Sequence, residues 1–274
     1  MSLRRLGRTD IEIAPLVLGT NVIGWTADEK TSFAVLDAFV GEGFTAIDTA
    51  DVYSRWVPGN DSESERIIGR WLKARGNRGH VHVFTKVGSD LGQGRNDLSA
   101  KWIVEAVEAS LTRLQTDYID LYQSHWPDPT VSHEETLAAY DRLIRAGKVR
   151  WIGASNYDAA LLSDALSVSK DKGLPRYETL QNEYNLYSRE KSEGAVRELA
   201  LREGVSLLPY YSLAAGFLTG KYRSEADLGK SVRGPRSVAK HMTPRGMQVL
   251  AALDDVAARV HATPTQVALA WQLA

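Results

Sequence analysis

The sequence predicts an α/β protein built on a parallel sheet that closes as a barrel. Short apolar runs alternate with longer stretches of helical periodicity, and the pair recurs at intervals of about 30 to 40 residues, as βαβ units require. The chain has 274 residues, which fits one such barrel because this architecture needs about 250 residues. We therefore predict a single domain over residues 1–274.

Seven apolar runs are predicted to form the strands of the sheet, and a hairpin precedes them. The hairpin is expected within residues 3–13, where two part-apolar runs flank the turn from Gly7 to Asp10. Asp at position 10 tolerates turn geometry. The strands are predicted at residues 16–18, 44–47, 81–85, 118–122, 149–152, 179–181 and 206–208.

Helix boundaries are marked by capping residues. A Ser or Thr followed three residues later by Glu or Gln is typical of a helix start, and a Gly after an amphipathic stretch is typical of a helix end. The helix predicted over residues 99–114 places Ile103, Val107, Leu111 and Leu114 on one face. Capping boxes are predicted at Ser62, Ser132 and Thr263, and helix ends at Gly76, Gly147, Gly173 and Gly204.

The chain ends at Ala274 within a predicted apolar helix, before any eighth strand. A closed barrel of this type needs eight strands, whereas an open sheet would leave two exposed edges. We expect the barrel to be C-terminally incomplete here, either because only the ordered residues are recorded or because the chain is truncated. The first explanation is favoured, since an open barrel with an uncovered core should be poorly soluble.

Composition excludes several classes of function. The formal net charge of -1 gives no long-range attraction to nucleic acid or to an anionic membrane. The absence of Cys excludes disulfides, thiolate catalysis and Cys-based zinc sites, and it fits a reducing compartment. No segment has the apolar length of a signal peptide or a membrane span, so we expect a cytoplasmic protein.

Four chemically active side chains follow different predicted strands: Asp48, Tyr53, Lys86 and His125. In a parallel α/β barrel the C-terminal strand ends share one face, so these residues are expected to converge. A tyrosine has a pKa near 10, and a neighbouring cation favours its phenolate form. Each residue alone would be an ordinary cap, loop or rim residue, but together they predict a site in which Tyr53 exchanges a proton near neutral pH.

Six segments in order along the chain surround these residues, and together they resemble the aldo-keto reductases. Any one segment would be a weak signal, whereas six in family order, each at a predicted strand end, are specific. The segments are DTADVY at 48–53, FTKVG at 84–88, QSHWPD at 123–128, GASNY at 153–157, QNEYN at 181–185 and the run from Tyr210 to Tyr222.

This resemblance implies a (β/α)8 barrel that moves hydride between NADP(H) and a carbonyl or alcohol, without a metal. Carried over residue by residue, it makes Tyr53 the general acid that protonates the carbonyl oxygen. Lys86 would stabilise the phenolate, Asp48 would hold Lys86, and His125 would orient the carbonyl or share the proton relay.

The resemblance also implies the cofactor contacts. Ser155, Asn156 and Gln181 match positions that bind the nicotinamide carboxamide, Tyr210 matches the aromatic that stacks on its ring, and no GxGxxG fingerprint is present or needed. Near the first strand end, Thr20 and Asn21 are expected beside the nicotinamide. The loop that would follow the phosphates comprises Tyr211, Ser212, Leu213, Ala214, Gly216, Leu218, Lys221 and Arg233.

Aromatic residues in predicted rim loops suggest a substrate pocket formed by Trp25, Trp56, Trp126 and Tyr187, although some could only pack loops together. They favour a small carbonyl compound or alcohol with an apolar part. Two alternatives stay open: a sugar or alcohol dehydrogenase that runs the reverse reaction, and a regulatory subunit resembling the channel-associated members. The latter typically carry Asn where this chain has His125. Nothing in the sequence predicts the oligomeric state.

Overall fold

A computed structural model describes residues 2–274 of the chain, and it begins with an antiparallel hairpin. Strands β1 (Arg4–Arg5) and β2 (Glu12–Ile13) pair with Arg4 opposite Ile13. The hairpin turn closes through a hydrogen bond from the backbone N–H of Leu6 to the carbonyl of Ile11. The predicted hairpin at residues 3–13 is therefore confirmed.

Seven further strands form one sheet in the order in which they occur along the chain. The first five pair in parallel, so their C-terminal ends lie at one edge. This sequential order is the one that βαβ units produce. The strands are β3 (Leu18–Gly19), β4 (Ala46–Asp48), β5 (His82–Val87), β6 (Ile119–Ser124), β7 (Val149–Ser155), β8 (Thr179–Gln181) and β9 (Ser206–Leu207).

All seven predicted strands are present: β8 has its predicted boundaries, whereas the boundaries of the other six differ. Strands β5, β6 and β7 continue two or three residues past their predicted ends, because residues there still pair through their backbones. Strand β3 starts two residues later than predicted. Residues on both faces of these strands are buried, including Ile47, Val83, Phe84 and Leu121, as expected of a parallel sheet covered by helices.

Within residues 2–274, eight α-helices alternate with or follow the strands. The predicted amphipathic helix is α3, and its buried side chains include Ile103, Val107, Leu111 and Leu114. The helices are α1 (Glu29–Gly41), α2 (Glu63–Arg75), α3 (Ala100–Leu114), α4 (His133–Arg145), α5 (Ala159–Lys172), α6 (Ala195–Glu203), α7 (Pro244–Arg259) and α8 (Pro264–Leu273).

The three predicted capping boxes have different outcomes. The box at Thr263 is complete, and Ser132 accepts a hydrogen bond from the backbone N–H of Glu135. The prediction of a capping box at Ser62 is wrong, although α2 begins directly after this residue. Ser62 adopts a left-handed backbone with φ 56° and its side chain makes no capping bond. That conformation turns the hydroxyl away from the first turn, where it would have to lie.

The chain divides into two compact units. The first comprises residues 2–180 and Leu199–Ser206, and the second comprises Gln181–Glu198 and Leu207–Ala274. Within the second unit, Phe217, Leu218 and Tyr222 pack with Leu250 and Leu253 of α7 in a common apolar core. No helix within residues 2–274 has the length and apolarity that crossing a bilayer requires. The single domain over residues 1–274 and the cytoplasmic location stay predictions.

Candidate active site

The structure brings Asp48, Tyr53, Lys86 and His125 together at the C-terminal edge of the sheet in the first unit. Asp48 is the last residue of β4, and Lys86 is the fifth residue of β5. His125 directly follows β6, and Tyr53 lies in the turns after β4. Because these neighbouring strands are parallel, residues separated by more than 30 positions share one edge.

Lys86 is the centre of this cluster, and its side chain is fully buried. Its ammonium nitrogen lies 2.6 Å from Asp48 Oδ2, 2.9 Å from the carbonyl oxygen of Thr49 and 3.2 Å from the phenolic oxygen of Tyr53. An ammonium has three protons to donate and no lone pair to accept with. These three bonds therefore occupy the whole donor capacity of Lys86, and Tyr53 must be an acceptor in its bond.

The charge state of Lys86 follows from its surroundings. Burial alone would lower the pKa of this amine, but attraction to Asp48 and to the oxygen of Tyr53 outweighs burial and raises its pKa above the usual value. Lys86 is therefore a cation at neutral pH. A cation that donates to the phenolic oxygen favours the phenolate and leaves the proton of Tyr53 to be donated elsewhere.

Gln123 completes the support of Asp48 and was not predicted as a site residue. Its Nε2 donates to Asp48 Oδ1 at 3.0 Å, so both carboxylate oxygens of Asp48 are engaged. Gln123 is fully buried and lies opposite Lys86 in the β5–β6 register. A polar residue at the end of a buried strand was visible in the sequence, but its partner depends on a register that the sequence alone does not set.

His125 occupies the other side of Tyr53, with 6.0 Å between the ring centroids. Its backbone N–H donates to the carbonyl of Val87 at 2.8 Å, and its Nδ1 lies 3.0 Å from the hydroxyl oxygen of Ser89. Burial and the positive charge of Lys86 lower the pKa of this imidazole well below its ordinary range. His125 is therefore neutral at physiological pH.

Three of the four predicted pocket aromatics lie around this cluster in the first unit. The rings of Trp25 and Trp56 meet edge to face at 5.7 Å, and Trp56 lies 6.3 Å from the Tyr53 ring. Trp126 stacks on His125 at 5.8 Å. Trp56 and Trp126 are exposed, which leaves apolar surface beside the phenol.

The fourth predicted aromatic, Tyr187, lies in the second unit. There its ring contacts His241 at 4.7 Å and Phe217 at 6.3 Å, and its hydroxyl lies 3.1 Å from the hydroxyl of Thr243. These contacts give Tyr187 a packing role inside that unit. Its place in a substrate pocket stays a prediction.

The predicted nicotinamide contacts of the first unit lie at the ends of β3 and β7. Asn156 has a left-handed backbone with φ 62°, and its Nδ2 donates to the carbonyl of His125 at 3.0 Å and to the hydroxyl of Ser155 at 3.1 Å. Thr20 is buried and donates its hydroxyl proton to the carbonyl of Asp48 at 2.9 Å. Asn21 is half-buried. The side chain of Thr20 thus supports β4, and its role toward a cofactor stays a prediction.

The predicted phosphate loop of the second unit has an unusual backbone. Tyr211, Ala214, Ala215 and Gly216 all have positive φ, from 49° to 103°. Within the loop the backbone N–H groups of Ala214 and Gly216 donate to the carbonyls of Tyr211 and Leu213, at 2.7 and 2.9 Å. At the start of the loop the rings of Tyr210 and Tyr211 meet edge to face at 5.2 Å.

Side chains of this loop differ in what they could offer a ligand. Ala214 and Leu218 are fully buried in the core of the second unit, and their backbone N–H groups donate to the carbonyls of Tyr211 and Leu213. Lys221 is exposed, whereas Arg233 is half-buried and Gln181 is buried. Ser212 and Leu213 are half-buried within the same loop.

Comparison with known proteins settles the family. The model of the aldo/keto reductase family matches residues 15–274. The chain belongs to this family. Its members are oxidoreductases that act on carbonyl groups and generally use nicotinamide cofactors. The family resemblance predicted from the six sequence segments is therefore confirmed.

Several known relatives are identical to this chain at about one third of the aligned positions. The aldo-keto reductase YhdN of Bacillus subtilis (strain 168) is 37% identical over 93% of this chain and 75% of its own length. Protein tas of Escherichia coli (strain K12) is 34% identical over 99% of this chain and 85% of its own. A probable voltage-gated potassium channel subunit beta of Oryza sativa subsp. japonica is 33% identical over 99% and 83%.

Proposed function

We propose that this protein reduces an aldehyde or ketone to an alcohol with NADPH, and that Tyr53 is the proton donor. One observation carries the proposal: the fully buried ammonium of Lys86 donates to the phenolic oxygen of Tyr53 at 3.2 Å. Lys86 cannot accept a proton in that bond while it is a cation, so the phenolic proton is available to a substrate oxygen.

The proton transfer follows from this arrangement. Tyr53 donates its proton to the carbonyl oxygen, and the phenolate that remains is stabilised by Lys86. Asp48 keeps Lys86 charged and in place, and Gln123 holds the second oxygen of Asp48. Neutral His125 donates a hydrogen bond to the same carbonyl oxygen and orients it. A nicotinamide cofactor, when bound, supplies the hydride.

The donor set of the chain fits a nicotinamide dinucleotide. Ser155, Asn156 and Gln181 offer hydroxyl and amide groups that complement a carboxamide, and Tyr210 offers an aromatic face. The basic side chains of Lys221 and Arg233 suit phosphates. The proposal includes a preference for NADP(H) over NAD(H), a fold of the (β/α)8 barrel type and a cytoplasmic location.

The tryptophans beside the phenol favour an aldehyde or ketone with an apolar or aromatic part. Trp25, Trp56 and Trp126 lie near Tyr53 and His125, and aromatic walls stabilise an apolar ligand by burying its surface. An aromatic aldehyde such as 4-nitrobenzaldehyde is therefore a suitable probe.

The deciding experiment measures NADPH consumption with 4-nitrobenzaldehyde for the wild type and for Tyr53→Phe. The variant keeps the ring contacts but loses the hydroxyl, so turnover should fall by at least about 10², the usual contribution of a proton donor. NADPH affinity, measured by fluorescence, should not change. Tyr118→Phe is a matched control, because Tyr118 precedes β6 at the opposite end and its ring packs under Arg78.

Other outcomes would redirect the proposal. Full turnover by Tyr53→Phe would exclude Tyr53 as the acid. Tight NADPH binding without reduction of any aldehyde would favour the reverse reaction, tested with NADP+ and alcohols, or a regulatory role.

A further inference from the structure

The loop that follows β5 is fixed by its own polar side chains. Asp90 accepts hydrogen bonds from the backbone N–H groups of Gly92 and Gly94, at 2.8 and 3.0 Å. The amide of Gln93 donates to the carbonyl of Ser89 at 3.0 Å and accepts from the N–H of Leu91 at 2.7 Å. These bonds hold Ser89 in one position although the loop has no regular secondary structure.

A second anchor ties this loop to the turns that carry Tyr53. The guanidinium of Arg55 donates to the carbonyl of Leu91 at 3.1 Å and pairs with Asp61. The backbone segment of Ser89 is therefore fixed relative to the segment that carries the proposed proton donor. A side chain placed this way can orient a neighbour with little loss of entropy on binding.

The hydroxyl of Ser89 has a single protein partner within residues 2–274, the Nδ1 atom of His125 at 3.0 Å. Ser89 is 5% exposed and His125 is 9% exposed, so the contact is largely shielded from water. If Nδ1 carried the ring proton, the hydroxyl proton of Ser89 would have no acceptor in this buried place. Buried polar groups are rarely left without a partner, so the hydroxyl donates and Nδ1 accepts.

The other ring nitrogen must then carry the proton. Burial and the charge of Lys86 lower the pKa of His125 well below its ordinary range, so the ring is neutral and has one N–H. With Nδ1 accepting from Ser89, that N–H is on Nε2. The Tyr53 ring lies 6.0 Å from the His125 ring.

We propose that Ser89 is a positioning residue that holds His125 in the Nε2–H tautomer, and so makes it a donor to the substrate carbonyl oxygen. This inference rests on the proposed reductase function. It assigns a role to a rim-loop serine that lies outside the four-residue cluster. In the opposite tautomer Nε2 would be an acceptor, and its lone pair would repel the carbonyl oxygen.

The test compares the wild type with Ser89→Ala and Ser89→Thr in two measurements. Two-bond ¹H–¹⁵N spectra of protein labelled at histidine report which nitrogen of His125 is protonated, and the signal is assigned with His125→Asn. Steady-state kinetics with NADPH and 4-nitrobenzaldehyde report kcat and KM. Ser163→Ala, an exposed serine on α5, controls for the loss of a hydroxyl.

In the wild type and in Ser89→Thr we expect protonated Nε2 and bare Nδ1 across neutral pH. In Ser89→Ala we expect a mixture of tautomers and a kcat reduced about three- to tenfold, the equivalent of one neutral hydrogen bond. NADPH affinity and thermal stability should not change, and Ser89→Thr should restore kcat, which a merely structural role would not require.

Two results would overturn the proposal: a protonated Nδ1 in the wild type, or an unchanged tautomer and kcat in Ser89→Ala. The spectra need no turnover. If the wild type reduces no aldehyde, the proposed function fails while the spectra still decide the tautomer. If the wild type is active and Ser89→Ala is indistinguishable from it, only the role of Ser89 fails.

Discussion

Replacing Lys86 by Met tests the electrostatic basis of the site, because it removes the charge and keeps a long unbranched side chain. Lys86 is fully buried and makes three hydrogen bonds, at 2.6, 2.9 and 3.2 Å. Lys86→Met leaves the carboxylate of Asp48 buried without its counterion. We expect the variant to lose both stability and turnover, for two separate reasons.

The magnitude of the stability loss follows from the partners. Removing one member of a buried ion pair typically costs about 3–5 kcal/mol of unfolding free energy. Asp48 keeps its 3.0 Å bond from Gln123, which places the cost near the lower end of this range. About 3 kcal/mol corresponds to a fall of roughly 6–12 °C in melting temperature for a chain of this size.

Denaturant unfolding followed by tryptophan fluorescence measures the stability, and NADPH consumption measures the turnover. In Lys86→Met, turnover should fall by about 10² to 10⁴, since Tyr53 loses the cation that stabilises its phenolate. The double variant Asp48→Asn/Lys86→Met removes the unpaired carboxylate, so it should regain about 2 kcal/mol of stability. It should not regain turnover.

Lys101→Met is the matched control, because the side chain of Lys101 is 85% exposed and its pair with Glu105 is long. Its effect should stay within about 0.5 kcal/mol. Wild-type stability in Lys86→Met would refute the buried ion pair. Wild-type turnover, or an unchanged pH profile of kcat, would refute the role of Lys86 in activating Tyr53.

Two further predictions concern pH. His241 is 2% exposed between Tyr187 and Phe217, and burial together with Lys240 lowers its pKa to about 4. The unfolded chain binds this proton at a higher pH, so the contribution of the neutral ring to the unfolding free energy is fully present above about pH 6.5. It falls by about 3 kcal/mol toward pH 4. His241→Phe should flatten this acid limb in pH-dependent melting curves, whereas His80→Phe on the surface should not. Burial opposes the ionisation of Asp120, but its hydrogen bonds and the charges of Arg78 and Arg150 lower its pKa to about 2. The ionised Asp120 contributes about 2 kcal/mol to the free energy of unfolding, and this contribution is lost as the pH falls from about 4 to about 2. Asp120→Asn should lower the free energy of unfolding at neutral pH by that amount without changing kcat. Denaturant unfolding midpoints equal to those of the wild type would contradict this prediction.

The strands were predictable because their apolar residues identify them locally, yet their ends were not. Lys86 and Gln123 are polar, so the pattern suggested that β5 and β6 end before them. Both remain in the sheet because their backbone groups pair across the register Lys86 to Gln123. The register is a property of two strands together, and the support that Gln123 gives to Asp48 follows from it.

Local signals also failed where the backbone took an unexpected conformation. The pattern at Ser62 matches a capping box as well as that at Thr263 does, but only Thr263 forms one. Ser64 of the same segment directs its hydroxyl to the carbonyl of Thr20 at 3.1 Å. Competition between local capping and long-range bonds cannot be resolved from three neighbouring residues.

The sequence by itself determined the fold class, the family and the four residues proposed to act on the carbonyl, because strand periodicity and short motifs are local properties of the chain. Only the tertiary structure decided what those residues do to one another. The full donor use of Lys86, the second bond to Asp48 and the contact of Ser89 with His125 depend on distances near 3 Å between segments more than 30 residues apart. Attraction to Asp48 and to the oxygen of Tyr53 raises the pKa of Lys86 in spite of its burial, and burial beside Lys86 lowers the pKa of His125.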